Sequence, residues 1–164
     1  MSFHIGEKVI HSSFGFAEIV GVEDKEVTGT TRQYYVVKTK DMTVWVPTSD
    51  GPATKLRPPS TQNDFRDCFA ILRSKFSPLS DDRNVRKSSI QTKLSSGTIT
   101  ALCELIRDLS FYKSQNKIND NEKSILERAV LLLTDEWGFA FHITPSQAKS
   151  ELTKLLNESS AASS

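Results

Sequence analysis

The chain changes character once along its length, and this change constrains the fold more than any single motif. Residues 3–47 read as alternating β sequence punctuated by glycine, whereas residues 61–157 read as capped amphipathic helices. The stretch between them, residues 51–59, contains three prolines and suits neither kind of element. Strands that precede helices, rather than alternating with them, predict an α+β chain of two modules. We place the first module at residues 1–58 and the helical module at residues 59–164.

The first module is predicted to be a small, strongly bent β-barrel of the SH3 or Tudor type. A hairpin turn is expected at residues 28–30, and Pro47 is expected to end the last strand because proline lacks a backbone donor. Phe16, Ile19 and Val22 are candidates for the buried face of the second strand. Four or five short strands joined by tight turns are typical of such barrels. The predicted strands cover residues 8–11, 16–23, 33–39 and 42–46.

The second module is predicted to be a compact bundle of five helices. Ser80 is the expected N-cap of the second helix, which is poor in apolar residues and depends on Val85, Ile90 and Leu94 for its buried side. The tail at residues 159–164 contains only serine and alanine and is expected to be disordered. The other helices are expected to follow caps at Thr61 or Asn63 (for a helix over residues 64–76), Thr98, Asn119 and Thr144.

Composition narrows the class of protein. The 21 basic and 20 acidic residues give a net charge of +1, so any contact with nucleic acid must come from a local basic patch. The chain has no run of about 18 apolar residues and no signal-peptide pattern at its start, which predicts a cytoplasmic protein without a membrane span. Cys68 and Cys103 fall on apolar helix faces and are interpreted as reduced core thiols, with a disulfide as the alternative.

A search for catalytic or metal-binding motifs finds none. Gly15 and Gly21 stand alone, so there is no phosphate-binding loop. His4, His11 and His142 are scattered, and the cysteines lack metal-ligand spacing. The sequence therefore predicts a protein that is not an enzyme and that has no cofactor, no metal and no small-molecule substrate.

Trp45 is a candidate contact residue. In the last predicted strand, alternation places Val44 and Val46 on one face and Trp45 on the other, so Trp45 is expected to point outward. Two interpretations remain open: Trp45 covers the end of the barrel or packs on the helical module, or it anchors a protein interface, where tryptophan is a typical hot-spot residue.

A basic cluster at the start of the second predicted helix is the other candidate. Arg83 and Lys87 are four residues apart and share a face, Arg86 lies beside them, and Lys93 follows further along the helix. Such a cluster is compatible with an ordinary solvated helix face. It also suits a phosphate backbone, because it lies at the positive end of the helix dipole, and Asn84 can donate to a base edge or a phosphate.

With these features in view, the chain resembles the CarD/CdnL family of bacterial transcription regulators over nearly its whole length. Each matching motif is weak alone, but their order and spacing together are specific. The motifs in the strand half are residues 3–11 with Gly15, residues 26–29, residues 34–38 and residues 44–47; those in the helical half are residues 93–97, 106–109 and 121–126.

The resemblance implies a Tudor-like N-terminal domain, shared with the transcription-repair coupling factor, that binds the β subunit of RNA polymerase. It also implies a helical domain that contacts promoter DNA near the −10 element and stabilises the open complex without catalysis, in a protein that we expect to be a monomer. We therefore assign polymerase binding to Lys25, Trp45, Val46 and Pro47. The predicted DNA-binding residues are Arg83, Asn84, Arg86 and Lys87. Two alternatives are a module that binds protein but never DNA and a small enzyme of unknown chemistry.

The chain departs from the family pattern on both predicted surfaces. Many members carry a tryptophan wedge in the DNA-facing helix where this chain has Arg83, and an adjacent aromatic is replaced by Lys87. In the first domain, some members use arginine where this chain has Trp45, and another arginine where it has Lys25.

Overall fold

The computed structural model describes residues 2–49 and 55–162, and residues 51–54 of the proline-rich stretch lie outside this part of the chain. Five strands are followed by five helices, which confirms the predicted α+β fold. The chain divides into two compact units, Met1–Pro59 and Ser60–Ser164. In chain order the elements are β1 (Lys8–His11), β2 (Gly15–Val27), β3 (Thr30–Thr39), β4 (Thr43–Pro47), β5 (Leu56–Arg57), α1 (Gln62–Arg73), α2 (Arg83–Ser96), α3 (Ile99–Gln115), α4 (Asp120–Phe141) and α5 (Pro145–Ala162).

The strands form one antiparallel sheet in the order β4-β3-β2-β1-β5. Among the described residues β4 and β5 are the two edges, so the sheet bends over its core without closing into a barrel. The tight turn between β2 and β3 falls at Thr28 and Gly29, both with positive φ, which confirms the predicted hairpin. The core contains Phe3, Val9, Ala17, Ile19, Tyr35, Val37, Val46 and Leu56.

The second strand is longer than predicted, and this changes the burial of one residue. Ile19 is fully buried and Phe16 is partly buried, but Val22 is 39% exposed, so its prediction as a core residue is wrong. The register shifts between Ile19 and Gly21, where a bulge bends the strand. Beyond this bulge β2 has passed the end of its pairing with β1, and little remains to cover Val22.

The helical unit has one core, to which all five helices contribute. Thr61 caps α1 as predicted, but α1 ends at Arg73, so Phe76 lies outside it. The N-cap of α2 is Asp82 rather than Ser80, because the Asp82 carboxylate accepts from two amides of the first turn. Ser80 instead accepts a hydrogen bond from the Asp82 amide and shapes the turn before the helix.

The predicted disordered tail is wrong for residues 159–162, which belong to α5. Ser159 is buried, and its hydroxyl donates to the backbone oxygen of Ser74 over 2.7 Å. This long-range hydrogen bond attaches the end of α5 to the segment that follows α1. The run of serine and alanine is therefore helical because this tertiary hydrogen bond stabilises a helix that composition alone does not predict.

Candidate partner-binding surfaces

Trp45 lies on the outer face of the sheet, as its position in the alternation predicts. It is 43% exposed and sits on the edge strand β4, opposite Val36 of β3. Its indole Nε1 donates to Glu23 Oε2 over 2.9 Å. Because Glu23 belongs to β2, two strands away, the indole must extend across β3 to reach it.

Lys25 and Trp45 are brought together, although 20 residues separate them in the chain. The ammonium nitrogen of Lys25 lies 3.8 Å from the centroid of the Trp45 ring, a cation–π contact. Glu23, which sequence reasoning missed, completes this arrangement, and we call Glu23, Lys25 and Trp45 the Trp45 patch. The available signal was the spacing of 23 and 25, which places both side chains on one face of β2.

The other two residues predicted for this surface differ from each other. Val46 is buried in the sheet core opposite Tyr35, as the alternation predicts, so its side chain is not available to a partner and any part it takes in polymerase binding is through β4 itself. Alternation forces this, because the strand that turns Trp45 outward must turn its neighbour inward. Pro47 is half-buried and lies opposite Tyr34 on the same outer face as Trp45.

The edge of β4 adds backbone groups to this surface. The amide of Thr48 donates to Gln33, and the amide of Thr39 donates to Met42. In an antiparallel pair, hydrogen-bonded residues alternate with residues whose backbone groups point away from the neighbouring strand. Trp45 therefore directs its own N–H and C=O outward, as the open edge of a sheet does.

On the helical unit, Arg83, Asn84 and Lys87 are all exposed in the first two turns of α2. The Asp82 carboxylate accepts from the amides of Asn84 and Val85 at 2.9 and 3.1 Å, so the turn that carries these side chains is well capped. The prediction that Val85 lies on the buried side is wrong, since it is 55% exposed.

Arg86 is not on this surface. It is only 7% exposed, and its Nε donates to Glu122 Oε2 on α4. Its Nη1 donates to the backbone oxygen of Ser80 over 3.0 Å, and its guanidinium carbon lies 4.8 Å from the centroid of the Tyr112 ring. The predicted contact between Arg86 and DNA does not fit this burial, because the guanidinium is already occupied inside the unit.

The electrostatics of the buried pair are consistent with two charged partners. The hydrogen bond from Arg86 to Glu122 raises the pKa of Arg86 above its ordinary value. Burial alone would raise the pKa of Glu122, but the hydrogen bonds from Arg86 and from the Asn119 backbone outweigh it and hold the pKa of Glu122 below its ordinary value. Glu122 therefore stays ionised at neutral pH.

Lys93, the last cation of the cluster, is also paired. The ammonium of Lys93 lies 3.1 Å from Glu104 and 3.9 Å from Asp108. Asp108 is itself buried and accepts from the amide of Ser77 and from Nε of Arg107. Of the four predicted cations, Arg83 and Lys87 are the two that the structure leaves on the exposed side of α2.

Within residues 2–49 and 55–162, no group of three histidine, cysteine or acidic side chains could hold a metal ion. Over the same residues, no helix combines the length and apolar character that a membrane span needs. Cys68 and Cys103 are free and buried, which confirms their interpretation as reduced core thiols.

Both halves of the chain match known families. The family described as CarD-like/TRCF RID domain matches residues 3–58, and the family described as CarD, C-terminal domain, matches residues 67–153. The chain belongs to the CarD family. This confirms the resemblance predicted from its motifs, and the match to a RID domain agrees with the Tudor-like prediction for the strand half.

A relative of similar length supports the same assignment. The chain is 29% identical over 150 residues to the Bacillus subtilis (strain 168) protein named "Putative transcription factor YdeB", covering 90% of this chain and 98% of that protein. Together with the CarD domains, this makes the chain a transcription regulator by class. The CarD family is of the transcription-factor type and is not a known class of enzyme.

Proposed function

We propose that this CarD-family protein is a cytoplasmic, monomeric and non-catalytic regulator that binds the β subunit of RNA polymerase and promoter DNA near the −10 element. Residues 1–58 would bind the polymerase, and residues 59–164 would contact the DNA and modulate the stability of the open complex. The observation that carries the proposal is the Trp45 patch, an exposed aromatic that neighbouring side chains already hold in place.

The Trp45 patch has the properties of an interface anchor. The indole N–H is bonded to Glu23 and the ring is covered on one side by Lys25, so little side-chain freedom remains to be lost on binding. Trp45 and Pro47 share the outer face, and the outward backbone of Trp45 offers a strand edge to a partner. Val46 contributes from beneath, by fixing β4 to the core.

This contact is tested by measuring the affinity of the full chain for the isolated polymerase β subunit. We expect Trp45→Ala to weaken binding by about 2 kcal/mol or more, the loss typical of a central anchor. Ile5→Ala is the matched control, because Ile5 is 66% exposed on the same unit but lies outside the Trp45 patch. Equal affinities for Trp45→Ala and the unmodified chain, with circular dichroism unchanged, would remove Trp45 from the interface.

The DNA contact is proposed for Arg83, Asn84 and Lys87. Arg83 and Lys87 lie on the exposed side of a helix N-terminus, where cations oppose the helix dipole and suit a phosphate backbone or a narrow, A·T-rich minor groove. An arginine inserts without unstacking a base step, unlike the tryptophan wedge of other members. Binding of the first unit to polymerase would make this weak contact intramolecular, at an effective concentration on the order of mM.

The DNA contact is tested by the salt dependence of promoter binding by polymerase carrying the protein. Arg83→Ala and Lys87→Ala should each weaken binding and reduce the slope of log K against log salt by about 1. Lys123→Ala is the control, since Lys123 is an exposed lysine on α4. We also expect Arg83→Trp to lengthen the lifetime of the open complex, because it restores a wedge.

One observation favours a second candidate, a module that binds polymerase or another protein without touching DNA. Arg86 and Lys93 are paired with acidic side chains, so the basic cluster is weaker than its sequence indicates. If Arg83→Ala and Lys87→Ala leave both the salt slope and promoter opening unchanged, this protein-only function replaces the DNA-binding one.

A further inference from the structure

The charged pair beneath the basic cluster connects three elements. Glu122 lies on α4 and is buried; its Oε1 accepts from the Asn119 amide over 3.1 Å, closing the capping box of that helix, while its Oε2 accepts from Arg86. Arg86 in turn stacks on Tyr112 of α3. One carboxylate therefore both caps α4 and holds α2.

Arg86 also fixes the residues that lead into α2. Its Nη1 donates to the backbone oxygens of Ser80 and Asp81 over 3.0 and 3.4 Å. Because these residues directly precede the N-cap Asp82, the same guanidinium shapes the turn from which α2 starts. We call Arg86 and Glu122 the Arg86–Glu122 latch.

The first turn of α2 has few other sources of stability. Ile90 is the first fully buried apolar residue of the helix, and Val85 points to solvent. The first turn contains no acidic residue, so Arg83 lies unfavourably at the positive end of the dipole. Without the latch this turn would be held mainly by its Asp82 cap, and helix ends with little packing fray readily.

We propose that Glu122 is a positioning residue for the DNA contact: through Arg86 it holds the first turn of α2 in the helical form that presents Arg83, Asn84 and Lys87. This rests on the proposed DNA contact of α2. Glu122 itself is buried and touches no DNA; it acts on a helix that begins 39 residues earlier in the chain.

The latch is tested first in the free protein, by amide hydrogen exchange of Glu122→Gln. Glutamine retains the oxygen that caps α4 but loses the charge that holds Arg86. Loss of one charged hydrogen bond corresponds to a roughly ten- to hundredfold rise in local opening. We expect this rise at the amides of Asn84, Val85 and Arg86, which are bonded to Asp82.

Thr61→Ala is the matched control for the exchange experiment. It removes the N-cap of α1, in the same unit, without touching the latch. It should therefore reduce global stability while leaving exchange in the first turn of α2 unchanged relative to the rest of the unit. If Glu122→Gln exchanges at these three amides no faster than the unmodified chain, the latch is refuted, whatever happens with DNA.

The link to DNA is tested by a double-mutant cycle between Glu122→Gln and Lys87→Ala, measured as promoter binding on polymerase. If the latch positions Lys87, removing Lys87 in the Glu122→Gln background should cost little more than Glu122→Gln alone. Fully additive effects would overturn the positioning role. If the proposed DNA contact does not exist, the result is different, because Lys87→Ala alone would then leave promoter binding unchanged. The exchange measurement would still test whether the latch holds α2.

Discussion

Arg86→Ala should be strongly destabilising, because it breaks the buried Arg86–Glu122 latch. Both side chains of the Arg86–Glu122 pair are less than a tenth exposed, so solvent screens their interaction poorly. Removing the guanidinium leaves Glu122 buried and uncompensated, which typically costs about 3–5 kcal/mol of the free energy of unfolding. By contrast, Arg83→Ala removes an exposed side chain of the same helix and should change stability by about 0.5 kcal/mol or less.

The measurement is urea denaturation followed by tryptophan fluorescence. The chain has two tryptophans, and Trp45→Phe leaves Trp137, in the core of the helical unit, as the probe of that unit alone. In this background, Arg86→Ala and Arg83→Ala should differ by several kcal/mol. A double replacement, Arg86→Met with Glu122→Leu, should recover much of the loss, because apolar residues of similar volume often replace a buried pair without penalty.

The pH dependence of this stability difference provides a second check on the buried pair. The pKa of Glu122 is held below its ordinary value of 4.5 in the folded chain, so its contribution to stability is present above that value and is lost as pH falls through the lowered one. The stability difference between the unmodified chain and Arg86→Ala should therefore be largest near neutral pH and shrink in acid. The buried charged pair would be refuted if Arg86→Ala were as stable as Arg83→Ala at neutral pH, or if the difference did not shrink in acid.

Three further outcomes follow from local geometry. Gly138→Ala should cost about 1–3 kcal/mol in urea denaturation, because a Cβ there would lie 2.7 Å from the backbone oxygen of Ile143, whereas Gly21→Ala should be tolerated, since its Cβ meets Val36 at an ordinary 3.6 Å. Burial, and then the charge of Lys55, lower the pKa of His11 below 6.5. The contribution of neutral His11 to the free energy of unfolding is therefore present above pH 6.5 and lost as pH falls, and an NMR titration giving a higher pKa would contradict this. Ser159→Ala should cost about 1 kcal/mol, detected as a lower urea midpoint.

Much of the fold could be predicted because its signals are local. The strand alternation around Trp45, the hairpin at Thr28 and Gly29 and the caps Thr61 and Asn119 each depend on a few adjacent residues, and the structure has all of them. The α5 tail could not be predicted in this way, because its helix is supported by a contact with a residue 85 positions earlier.

The error at Arg86 has a different origin, since part of its signal was present. Arg86 is four residues before Ile90 and therefore lies on the buried face of α2, whereas Val85 is five residues before it and does not. Hydrophobicity suggested the opposite assignment for both residues. What the sequence could not show is the partner: Glu122 is 36 residues away, and a capping-box glutamate does not indicate which cation its second oxygen will accept.

In the helical unit, the buried residues that hold α2 in place are different from the exposed residues proposed to contact DNA. Arg107 and Asp108 hold the segment between α1 and α2 through Ser74 and Ser77. Glu122 holds α2 itself. Arg83 and Lys87 are exposed and make none of these hydrogen bonds. Their chemistry can therefore change without loss of the helix, so Arg83→Trp should fold as the unmodified chain does and alter only the contact that α2 makes.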